Sequence, residues 1–145
     1  MSRARTAAIA VFRLLVLAAL VAGAGVRAVA EEPSAYIVEV SDVTAKVGDP
    51  AVMRATLKVR DGYRILKAYN NRVIQLSSFD DGVAFERKMV TATLDEDALV
   101  FEVPLRATKP GKHAINGVFR VGYIHGTDEM AMVSMRLIAN VTGTE

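Results

Sequence analysis

The segment Ala51-Val52-Met53-Arg54-Ala55-Thr56-Leu57-Lys58-Val59-Arg60 alternates apolar and polar side chains without a break. Successive side chains of a strand point to opposite faces. This places Met53, Ala55, Leu57 and Val59 on one surface and Arg54, Thr56, Lys58 and Arg60 on the other. A helix would scatter the same residues around its circumference. The pattern therefore calls for a strand half-buried against a core. Tyr36–Val43 repeats it, and further candidate strands are Val73–Phe79, Phe85–Leu94, Ala98–Leu105, His113–Tyr123 and Met130–Val141. Between them stand Gly48-Asp49-Pro50, Asp61-Gly62, Asn70-Asn71, Asp80-Asp81-Gly82, Asp95-Glu96-Asp97, Lys109-Pro110-Gly111 and Gly126-Thr127-Asp128. These residues tolerate positive φ or pre-set a turn. About seven strands so punctuated predict an all-β chain folded as an immunoglobulin-like antiparallel β-sandwich. Phe79, Phe85, Phe101 and Phe119 are expected in its core, and His113 at an exposed strand start. Arg64–Tyr69 reads equally as a short strand or an irregular connection.

Residues 1–30 follow a different rule. Arg3, Arg5 and Arg13 precede the apolar run Leu14–Ala22, and Ala28-Val29-Ala30 supplies small residues at a cleavage site. Positive, apolar and A-x-A regions in that order describe a helical secretory signal, cleaved from the working protein. The run is shorter than the roughly 20 residues of a spanning helix. The expected product is a periplasmic or secreted single domain over 31–145. Charge then changes sign. The chain has 18 Lys+Arg against 16 Asp+Glu; four of the basic groups precede residue 31, leaving 14 against 16, net −2. A mildly acidic domain lacks the basic footprint that nucleic acid or an anionic membrane requires. With no cysteine in the chain, disulfides, thiol chemistry and Cys-type metal sites are excluded.

Catalytic signatures are missing. Only His113 and His125 are available as imidazole bases, no nucleophile-elbow pattern occurs, and the acidic pairs sit in expected turns. The chain is read as a non-enzyme. One segment has distinctive chemistry: His125 followed by Met130, Met132 and Met135. Imidazole and thioether are soft ligands suited to copper, and a bend at Gly126-Thr127-Asp128 would bring His125 toward Met130 and Met132. The competing expectations for these methionines are core filling and a surface for a partner.

Gly117–Tyr123 with its polar turn and following strand, and Gly48-Asp49-Pro50 leading through a strand to Gly62-Tyr63-Arg64-Ile65, resemble the N-terminal immunoglobulin-like domain of the thiol:disulfide interchange protein DsbD. The resemblance spans Tyr36–Val141. It implies the same sandwich, and a membrane redox or cytochrome-maturation system as the setting. Laid on this chain, that family's redox-active cysteine pair falls at Gly126 and Met132. The chain is thus similar to a cysteine-less version, and the electron-transfer activity does not carry over.

Tyr63, Arg64, Tyr69, Asn70, Asn71 and Arg72 gather in one connection, and Tyr123 ends the strand before the His/Met segment. Tyrosine, asparagine and arginine on loops at one end of a sandwich favour contact surfaces. The functional expectation is an exported accessory module whose loops, Tyr63–Arg72 and Tyr123–Met132, meet another exported or membrane protein. The alternative is a copper-binding protein using His125, Met130 and Met132. The long apolar strand Met130–Val141 would be an assembly site if left at a sheet edge.

Overall fold

The computed structural model describes residues 34–145; the expected signal, 1–30, lies outside the described residues. Strands are β1 (Tyr36–Val40), β2 (Val43–Lys46), β3 (Ala51–Val59), β4 (Tyr63–Ile65), β5 (Arg72–Ser78), β6 (Val83–Phe85), β7 (Val90–Thr91), β8 (Thr93–Asp95), β9 (Ala98–Ala107), β10 (Gly111–His125) and β11 (Glu129–Thr144). One sheet runs β1-β3-β9, with β6 and β8 both on the far side of β9. The other runs β2-β11-β10-β5-β7, with β4 on β10. Every pairing is antiparallel except β2 with β11. This is the two-layer immunoglobulin-like order, A-B-E-D against A′-G-F-C-C′.

The predicted face of β3 is the one buried: Met53, Ala55 and Leu57 have no exposed surface. They meet Val73, Leu76, Phe119, Val121 and Leu137 of the opposite sheet in one core. Phe101 and Phe119 touch across it, ring centroids 5.1 Å apart.

Eleven strands replace seven because two expected strands change sheets and the ambiguous connection before Asn70 opens with a short strand of its own, β4. The Tyr36–Val43 candidate breaks at Ser41-Asp42. The Ser41 N–H still bonds to the Arg54 carbonyl of the first sheet (3.1 Å), whereas Asp42 Oδ1 accepts the Asn140 N–H of the second (2.9 Å). Phe85–Leu94 breaks into β6 and β8 on β9 and β7 on β5, so one stretch ties both layers together. Pro104 lies inside β9 where its missing N–H falls between β6 and β8. Its carbonyl reaches that side, accepting the Glu86 N–H at 3.4 Å.

Two side-chain expectations are corrected. Phe79 is 67% exposed. Gln75 takes the left-handed conformation (φ 55°), and the β5–β10 register slips between Asn116 and Val118. That bulge inverts the alternation beyond it, so Leu76 and not Gln75 points inward, and Phe79 outward. His113 is 6% exposed, because it belongs to the inward series His113, Ile115, Gly117, Phe119 of β10.

Candidate functional site

At one end of the sandwich the Asp61–Asn71 connection folds back onto the end of β10. Asp61-Gly62 turns the chain, and β4 then pairs Tyr63 with His125 and Ile65 with Tyr123. Beyond β4 the backbone leaves the ladder. The Leu66 N–H bonds to the Gly122 carbonyl (3.1 Å) and the Tyr69 N–H to the Leu66 carbonyl (3.1 Å), closing a turn over residues 66–69.

Asn71 holds that turn in place. Its Nδ2 donates to the carbonyls of Leu66 (3.1 Å) and Tyr69 (3.2 Å), while its Oδ1 accepts the Gly122 N–H (2.8 Å). With 7% exposure, the carboxamide serves the backbone and offers nothing to a partner. Asn71 is therefore a positioning residue, a correction to its place among the expected contact residues. Gly122 is glycine for a steric reason. A Cβ there would stand 3.0 Å from Leu66 Cδ2 and 3.2 Å from Tyr69 Cβ. From the opposite sheet, the Tyr36 hydroxyl donates to the same Gly122 carbonyl at 2.5 Å, and burial pushes the phenol up to about 12.

The remaining expected contact residues separate into two groups. Tyr63 is half-buried, stacked on His125 (centroids 4.6 Å, 22°) and edge-on to Tyr123 (5.4 Å, 78°). Arg64 Nη2 donates to the carbonyls of Thr127 (3.0 Å) and Gly126 (3.4 Å), fastening the β10–β11 turn to β4. These three aromatic rings and one guanidinium make a stiff end wall. Tyr69, Asn70 and Arg72 form the outer flank: Arg72 Nη1 donates to the Asn70 carbonyl (2.7 Å), and its guanidinium carbon lies 5.7 Å from the Tyr69 ring centre. The pinned turn has a cleft on each side. One, about 360 Å³, is lined by Tyr69, Asn70, Ala92, Leu94 and Leu99. The other, about 510 Å³, is bounded by Arg64 and Lys67 on one wall and Glu96 and Asp97 on the other. Lys67 and Ala68 line both.

The His/Met ligand set does not assemble. Register in the β10–β11 hairpin pairs His125 with Glu129, Ile124 with Met130 and Gly122 with Met132. Directly paired residues share a face and neighbours alternate. His125 therefore lies on the face of Tyr123 and Glu129, with its Nδ1 3.5 Å from Glu129 Oε2. Met130 and Met132 project from the opposite face, 66% and 67% exposed. They are neither core filling nor partners of His125. Among the described residues, no group of three or more His, Asp or Glu side chains is placed to hold a metal.

A second polar lock, which the sequence reading missed, closes the other end. His113 Nδ1–H donates to Asp80 Oδ2 at 2.6 Å, and Nε2–H donates to the Lys109 carbonyl at 2.9 Å. Two acceptors require both ring protons, so the imidazolium is favoured and His113 is held above the usual histidine range. The bond from His113, with help from the Gly82 N–H, lowers Asp80 to about 2. Gly82 leaves the space the ring occupies, since a Cβ there would collide with it. Two sequence signals were available: the inward parity of residue 113, and an Asp two positions before a Gly, an Asx-turn pattern.

No family model matches this chain, and no curated protein is significantly similar to it.

Proposed function

We propose that the protein is an exported, non-enzymatic binding module that meets another exported or membrane protein through the pinned turn Leu66–Tyr69 and its two clefts. The observation that carries this is the Asn71–Gly122 anchor. It commits a buried carboxamide, and a glycine where a Cβ would crowd Leu66 and Tyr69, to holding one irregular loop in one shape. Loops on a rigid scaffold are where recognition concentrates, and a pre-shaped loop loses little freedom on binding. The signal-like residues 1–30 support export. The cysteine-less resemblance to the DsbD N-terminal domain supports a partner in a membrane redox or maturation system, by analogy of fold.

Capture from membranes of the exporting host tests this. The wild-type protein should retain a discrete partner that the double variant Lys67→Glu/Tyr69→Ala loses while melting at the same temperature. Equal capture by both proteins would refute the assignment of this loop.

A further inference from the structure

The β2 strand covers only the last four residues of β11, pairing Val141–Thr144 with Val43–Lys46. From Glu129 to Asn140, β11 has β10 on one side and no backbone partner on the other among the described residues. Which of its groups face the gap follows from two bonds. The Asn140 N–H points away from β10, to Asp42, and the Thr144 carbonyl accepts the Val47 N–H on that same side. Register with β10 is unbroken, so alternation puts the N–H and C=O of Met130, Met132, Ser134, Arg136 and Ile138 on the open edge. Those five are the residues whose side chains stand on the outer face.

The open edge is joined to an unusual surface. On the outer face Arg72 of β5 lies directly opposite Arg120 of β10, and Arg136 of β11 is the diagonal neighbour of Arg120. Like charges placed directly opposite destabilise a sheet. No carboxylate forms an ion pair with any of the three among the described residues. Outward positions of β5, β10 and β11 include no Asp or Glu. The domain as a whole is slightly acidic over 31–145, yet this face is basic. It is also apolar around the arginines, with Met130, Met132, Ile138 and Phe79 exposed. On the inner side, Ala131, Val133 and Met135 are only partly buried.

We infer that the β11 edge accepts an added antiparallel or parallel strand from a partner protein, one that alternates acidic and apolar side chains. Its backbone completes the ladder along Met130–Ile138, its carboxylates face Arg136 and Arg120, and its apolar side chains cover Val133 and Met135. A second copy of this chain is the poorer occupant, since its own edge brings Arg136 and no acid. The inference shares the binding-module class with the pinned-loop reading but uses a different edge; Arg72 is the residue common to both, and the variants below leave it in place, so either can fail alone.

The probe is the peptide (Glu-Val)4, with (Lys-Val)4 as control, followed by amide hydrogen exchange on the exported protein. The acidic peptide should slow exchange at Met130, Met132, Ser134 and Arg136. Val133 and Met135, already bonded to β10, should not change. Arg120→Glu/Arg136→Glu should weaken binding at least about tenfold. Ser134→Pro, which removes an edge N–H and no β10 bond, should abolish binding with the fold intact; if that variant does not fold, the arginine pair decides. Lys67→Glu/Tyr69→Ala should bind the peptide as wild type does. Absence of protection at those amides, or equal binding of the basic peptide, overturns the inference. So does a peptide-free dimer that protects the same amides, or arginine-dependent adsorption to phosphatidylglycerol vesicles in place of peptide binding.

Discussion

The side-chain oxygen of Asn71 accepts the backbone N–H of Gly122 at 2.8 Å while the Tyr36 hydroxyl, from the other sheet, donates to the Gly122 carbonyl. One glycine thus joins the loop, its own strand and the facing layer.

Asn71→Ala removes three hydrogen bonds and strands the Gly122 N–H, while the carbonyls of Leu66 and Tyr69 keep their backbone donors, the N–H groups of Tyr69 and Asn71. With a buried unsatisfied N–H costing about 1–3 kcal/mol and each of the other two lost bonds about 0.5–1, the loss should be about 2–4 kcal/mol in urea unfolding. Gly122→Ala should cost about 1–3 kcal/mol through the clash with Leu66. If the turn they hold carries the proposed contact, both variants should also lose partner capture.

Tyr36→Phe deletes only the hydroxyl that bridges the sheets. The expected cost is about 1 kcal/mol. In the wild type, ultraviolet titration should show one tyrosine ionising near pH 12, and that component should vanish in the variant.

Stability should be greatest in mildly acidic solution. His113 is raised when folded, so its contribution is complete below the unfolded value of about 6.5 and is lost as pH rises through the folded one. Asp80 is depressed, so its contribution is present above about 3.9 and lost as pH falls toward about 2. Melting temperature against pH should therefore plateau between about 4 and 6.5. His113→Gln should flatten the decline on the alkaline side and lower the plateau.

Met130 and Met132 should oxidise with dilute peroxide well before Met53, which has no exposed surface. Peptide mass mapping reads the order. Met130→Ala/Met132→Ala should alter stability by no more than about 0.5 kcal/mol. Anaerobic Cu(I) titration should show no site dependent on His125 together with these methionines.

Alternation alone located the long strands β3, β9, β10 and β11 and the buried face of β3, and turn residues located most connections. What it does not carry is long-range pairing. Nothing local in Tyr36–Val43 says that Ser41 stays with Arg54 while Asp42 reaches Asn140. A single left-handed residue, Gln75, inverts the parity that assigned Phe79 to the core. The His125/Met130/Met132 grouping failed on the same kind of information. Proximity in sequence suggested convergence, and hairpin register placed imidazole and thioethers on opposite faces. Of the expected contact residues, Tyr63, Arg64, Tyr69, Asn70, Arg72 and Tyr123 do come together at one end. Asn71 is there too, as the buried anchor.

The most direct test of the proposed binding role is site-specific crosslinking in the native host. A photoreactive phenylalanine analogue replaces Ala68, which lines both clefts, or Lys58, an outward residue of β3. A discrete crosslinked protein from position 68 and none from position 58 is the predicted result. No adduct at 68, or the same diffuse products at both positions, would contradict a partner-binding role for the pinned loop.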